Sequence, residues 1–165
     1  MLVSACGLFV KKNTYPCPAV FILDDAKNLV RFKPGPGRDV TDILFEAELV
    51  NFRGSCSYKQ VEGKWNAEVD LTVQIAVQRG TARPNHRITF NYFAALPGFQ
   101  SSVDGKSVFP VMGTFKDLER RRLYQDEIKI SLPLRNPAEG ASQKIVLGIQ
   151  LSRETLKYNR SHRAP

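Results

Sequence analysis

No run of 18 consecutive apolar residues occurs in this 165-residue chain, so no helix of it is built to span a bilayer. Histidine is scarce, with only His86 and His162, and there is a single tryptophan, Trp65. General acid–base and metal chemistry rely on spaced His, Cys and carboxylate groups. The chain has no Gly-x-Ser-x-Gly elbow, His-Glu-x-x-His pair, Gly-x-x-x-x-Gly-Lys phosphate loop or Cys-x-x-Cys. A non-catalytic protein with no metal and no cofactor is therefore expected. Asp24-Asp25 and Asp39 with Asp42 read as turn-initiating residues rather than cation ligands. Low complexity and internal repeats are also missing, and composition is ordinary for a globular chain, with 42% hydrophobic and 24% charged residues. One domain suffices at this length.

Charge is unbalanced instead. Twenty-four Lys and Arg against 16 Asp and Glu leave a formal net charge of +8, which favours anionic surroundings. The excess is clustered in three places: Arg31, Lys33 and Arg38; Arg120, Arg121 and Arg122; and Arg79, Arg83, His86 and Arg87. The first two clusters are the candidate anion contacts. The Pro34-Gly35-Pro36-Gly37 loop between Lys33 and Arg38 is glycine-rich, but its prolines remove the N–H groups a phosphate cradle needs, so it reads as a stiff crossover. Aromatics such as Tyr92-Phe93 fall at alternating positions that suit a core better than a base-stacking platform, so nucleic acid is not expected as a partner.

Apolar residues alternate with polar ones from Ala67 to Val77, again from Ile128 to Leu134, and again from Ile145 to Leu151. A period of two over such lengths is the mark of a half-buried strand. Shorter strand candidates are 19–23, 29–32, 43–52, 88–96 and 107–115, separated by turn signals such as Glu62-Gly63, Pro97-Gly98 and Asn136-Pro137. The expected fold is an all-β, immunoglobulin-like antiparallel sandwich of about eight strands. A short C-terminal helix is expected over 152–158, with Ser152 as its cap and Glu154 in its first turn.

Three cysteines, at 6, 17 and 56, make an odd count, and Cys6 stands apart. The segment Val3-Ser4-Ala5-Cys6 resembles a bacterial lipobox, where small residues admit an extended backbone to a peptidase cleft and the thiol accepts the lipid. Residues 1–5 are then the remnant of a signal peptide whose basic and apolar parts lie upstream of Met1. Residues 6–16 are read as the lipidated N-terminus and tether, 17–159 as a single sandwich domain, and 160–165 as a basic tail. With Cys6 lipidated in an oxidising compartment, Cys17 and Cys56 remain as an even pair and are expected to be bonded. Gly7 after the cysteine suggests the periplasmic side of the outer membrane, with the inner membrane the lesser choice.

Pro16-Cys17-Pro18, the run from Arg31 to Asp42, Cys56 and the ending from Leu151 to Arg160 together resemble a family of small, uncharacterised lipoproteins of alphaproteobacteria. The resemblance implies export and a membrane anchor, and supplies no catalytic residues. The expected function is a non-catalytic extracytoplasmic lipoprotein, an interaction or assembly module whose partner is an envelope protein or anionic polymer. The alternative is a ligand-binding or enzymatic periplasmic domain with a pocket no motif reveals.

Overall fold

The computed structural model describes residues 15–82, 87–99, 102 and 105–162. Eight strands form two stacked sheets: β1 (Ala19–Ile22), β2 (Asn28–Phe32), β3 (Ile43–Val61), β4 (Lys64–Arg79), β5 (Arg87–Ala95), β6 (Lys106–Thr114), β7 (Arg121–Leu134) and β8 (Lys144–Ile149). One sheet has the order β2-β3-β4-β7 and the other β1-β8-β5-β6. The alternation of β4 works as expected. Ala67, Val69, Leu71, Val73, Ile75 and Val77 are buried against the inner faces of β5 and β8, while Asp70 faces water. Ile75, Leu132, Ile145, Leu147 and Ile149 in this layer are fully buried, each stabilising the fold by roughly 1.5–3 kcal/mol.

The fold is the expected all-β sandwich of eight strands with a short C-terminal helix. Three successive strands, β2, β3 and β4, lie side by side, and β4 to β7 form a Greek key folded across both sheets. The edge pair β1–β8 is parallel, with Ala19 opposite Lys144 and Ile22 opposite Leu147. Parallel neighbours need a long connection, and here most of the chain lies between them.

Two strands are longer than their sequence pattern. In β3 the register shifts between Leu49 and Asn51. Before the shift Phe45, Ala47 and Leu49 point inward; after it Phe52, Cys56 and Tyr58 do, opposite Val73, Val69 and Ala67. One extra residue thus swaps odd for even and hides the strand's second half from a strict period of two. β7 begins at Arg121 rather than Ile128, and its first half escapes the apolar alternation because its inward positions are Arg122, Tyr124 and Asp126, which are polar. Trp65 stands inside β4, packed on the core.

The β3–β4 turn, Glu62 and Gly63, has φ of 50° and 78°, the left-handed pair a tight two-residue hairpin requires. The Pro34–Gly37 loop is no crossover, because β2 and β3 are antiparallel neighbours. Helix α1 (Arg153–Ser161) is capped by the Ser152 hydroxyl, which accepts the Thr155 N–H at 3.1 Å. It takes in Arg160 and Ser161, which sequence placed in a basic tail. Arg160 pairs with Asp25 at 3.1 Å, and Tyr158 meets Phe32 edge to face at 5.5 Å.

Candidate functional site: a basic pole

The topology gathers described members of all three basic clusters at one end of the sandwich. Arg31 on β2 stands opposite Phe45 on β3, and Phe45 opposite Arg79 on β4. The Arg79 N–H in turn donates to the carbonyl of Arg120 at 2.8 Å. Arg87 opens β5 opposite Thr114, at the same end. Arg83 and His86 lie outside the described residues. Over the stretches 31–42, 79–82, 87 and 115–122, nine Lys and Arg face four Asp and Glu, so most of the +8 sits at this pole. Sequence separated these clusters by tens of residues; antiparallel pairing alone brings them together.

Their roles diverge once geometry is considered. Lys33 pairs with the buried Asp42 at 2.6 Å, and Asp42 also accepts the Asp39 N–H at 3.1 Å. The Lys33 hydrogen bond and that backbone donor hold the Asp42 carboxyl below its usual range. Asp39 and Asp42 thereby form a reciprocal cap on the short turn Val40–Asp42. Arg38 donates to the carbonyls of Gly35 and Gly37 at 2.8 and 2.7 Å, pairs with Glu154 of α1 at 2.5 Å, and lies 5.2 Å from the Phe32 ring centre. It fastens the loop to the helix.

Arg122 grips both oxygens of Glu119, at 2.8 and 2.5 Å. Glu119 also accepts the Lys116 N–H at 2.9 Å, and this clamp holds its carboxyl down to about 2. Arg120–Arg122 is therefore not one solvated turn cluster. Arg121 and Arg122 are the first two residues of β7 and point to opposite faces. Arg31, Arg120 and Arg121 are exposed, and no ion pair among the described residues engages them.

Two apolar side chains project from the same pole. Leu118 is 95% exposed and Val40 69% exposed. They flank the segment after β4: Arg79 donates to the Asp117 carbonyl at 3.0 Å, and the Thr81 hydroxyl to the Val40 carbonyl at 2.5 Å. Neither stands out in the sequence, since each is a lone apolar residue among polar neighbours.

The opposite pole holds the N-terminal entry. Cys17 and Cys56 are bonded, with Cα atoms 5.7 Å apart. The Tyr58 hydroxyl donates to the Pro16 carbonyl at 2.7 Å, and Tyr15 meets the Tyr58 ring at 5.6 Å. The end of the expected tether is thus docked on β3. Cys6 lies outside the described residues.

Concavities are open troughs. One of about 400 Å³ runs between the Pro34–Gly37 loop and α1, lined by Arg31, Lys33, Arg38 and Lys157. A larger one of about 770 Å³ lies on the outer face of β2-β3-β4-β7 and mixes Glu46 and Glu48 with Gln78 and Arg121. Among the described residues no three His, Cys, Asp or Glu converge as a metal would require. His162 stacks on Tyr158 at 4.0 Å with its Nδ1 beside the Ser161 hydroxyl, at the helix end. Comparison with protein-family models, with curated proteins and with solved structures finds no match.

Proposed function

We propose that this chain is a non-catalytic extracytoplasmic lipoprotein, held to the outer membrane through Cys6, whose sandwich is an interaction module contacting anionic groups of the cell envelope. The observation that carries the reading is the collection of positive charge at one pole, with Arg31, Arg120 and Arg121 exposed there and uncommitted. Such a field concentrates anions and is screened over about 8 Å at physiological salt. The rival, a pocket-based enzyme or binding protein, would have to use the open troughs among the described residues, where the Ser161 hydroxyl and His162 meet at the exposed end of α1.

Two measurements test this. Expressed with its upstream region in a bacterium, the protein partitions into detergent, and Cys6→Ala releases it; unchanged partitioning of the variant refutes the anchor. Adsorption of the protein to a phosphate polymer weakens with salt, and Arg31→Ser/Arg120→Ser/Arg121→Ser weakens it at low salt while leaving the melting temperature in place. Adsorption that ignores the three changes removes the basic pole from the function. Arg122 is left intact in this variant because its clamp on Glu119 is structural.

A further inference from the structure

We infer that the basic pole is a membrane-docking face that seats end-on in an anionic phospholipid surface, and that this surface is not the bilayer anchoring Cys6. The second half rests on the lipoprotein reading above; the first does not. Two kinds of group coincide at the pole. Arg31, Arg120 and Arg121 carry exposed charge suited to lipid phosphates, and Leu118 and Val40 expose apolar side chains at the same end. An anionic polymer needs only the charges. A leucine left 95% exposed at a loop tip, next to a valine on the neighbouring loop, fits a partner with an apolar interior behind an anionic skin. Asp39 and Asp117 share the loops, while Asp42 and Glu119 are already matched by Lys33 and Arg122.

The N-terminus enters at the far pole. Pro16 is held by Tyr58, and Tyr58 is 13 residues along β3 from the Phe45 row that bears Arg31 and Arg79. At ~3.3 Å per residue, less one for the bulge, that is about 40 Å. The nine residue steps from Cys6 to Tyr15 span at most about 32 Å when fully extended. A lipid on Cys6 cannot reach back past the length of the sandwich to the bilayer on which the pole stands. Docked and anchored at once, the protein joins two membrane surfaces.

The test uses the full chain and vesicles of defined lipid. Unacylated Cys6→Ser protein is mixed with phosphatidylglycerol vesicles and with phosphatidylcholine vesicles at low salt. Binding to the anionic set only is expected. Leu118→Ser should weaken it about tenfold, from the lost burial of one leucine. Arg31→Ser/Arg120→Ser/Arg121→Ser should weaken it about a hundredfold, near fivefold for each charge. Melting temperatures of the variants report that they are folded. If Leu118→Ser binds vesicles as the parent does, the face is a polyanion site and the docking inference is overturned. In a second arm, acylated protein in phosphatidylcholine vesicles is mixed with phosphatidylglycerol vesicles. Clustering, measured by light scattering, supports the two-surface geometry. Adsorption in the first arm without clustering in the second overturns it. The intact mass shows whether Cys6 is acylated, so failure of the anchor reads separately from failure of the pole.

Discussion

Removing the Cys17–Cys56 bond should destabilise the whole sandwich rather than only its first strand. The bond closes a loop of 39 residues that contains β1, β2 and most of β3. In the chain-entropy treatment, releasing such a loop gives the unfolded chain about 13 cal/mol/K, or about 4 kcal/mol at 25 °C. For a chain of this size each kcal/mol moves the melting temperature by roughly 2–4 °C, so the expected loss is about 8–16 °C. The native end states should differ little. Tyr58 still donates to the Pro16 carbonyl, and Tyr15 still packs on Tyr58, so residues 15–18 remain docked without the sulfurs. The assay is urea and thermal unfolding of the wild type with and without reductant, alongside Cys17→Ser/Cys56→Ser, followed by far-UV circular dichroism. A lower urea midpoint is expected in both cases, with a slope that rises if anything, because the unfolded chain without the cross-link exposes more surface. If reduction and the double variant each cost less than about 1 kcal/mol, the loop is not what the bond restrains and the entropic account fails for this protein.

Glu119 has a folded pKa of about 2 against an ordinary 4.5, so its contribution is present above pH 4.5 and is lost as pH falls toward 2. Glu119→Gln should lower the melting temperature at pH 7 and hardly at pH 2; an equal loss at both pH values would mean the Arg122 clamp carries no electrostatic stabilisation. Tyr92 is fully buried and donates to Asp126 at 2.7 Å, stacked on Phe109 at 5.0 Å. Tyr92→Phe keeps the ring but leaves that carboxylate without its donor, at a cost of about 1–2 kcal/mol in urea unfolding. A variant as stable as the parent would show that water replaces the hydroxyl. Burial, reinforced by Asp126, pushes the Tyr92 phenol well above its usual range, so no ionisation of Tyr92 should be seen by ultraviolet absorbance before alkaline unfolding.

Much of the architecture was legible because the sandwich buries one face of each sheet, and burial writes a period of two into β4, β8 and the second half of β7. Turn chemistry was legible for the same local reason: Glu62-Gly63 and Ser152 do their work within three residues. The bonding of Cys17 with Cys56 was also readable, as the even pair that remains once Cys6 is set apart. The extension of β3 was not, because a bulge reverses the inward parity at Val50. The start of β7 was not, because Arg122, Tyr124 and Asp126 stand where apolar residues were sought.

The basic pole divides in the same way. By itself the sequence determined that this protein is strongly cationic, that its cations sit in loops and strand ends, and that its strands belong to a two-layered β domain. Only the tertiary structure decided that Arg31, Arg79 and Arg120 share one row, and that Lys33, Arg38 and Arg122 are spent on Asp42, Glu154 and Glu119. It also decided that Leu118 and Val40 are exposed at the same end as Arg31, Arg120 and Arg121, a pole away from the chain's N-terminal entry. Local pattern encodes which face of a strand is dry. Which loops meet depends on strand order and register, and these arise from pairings between residues far apart in the chain.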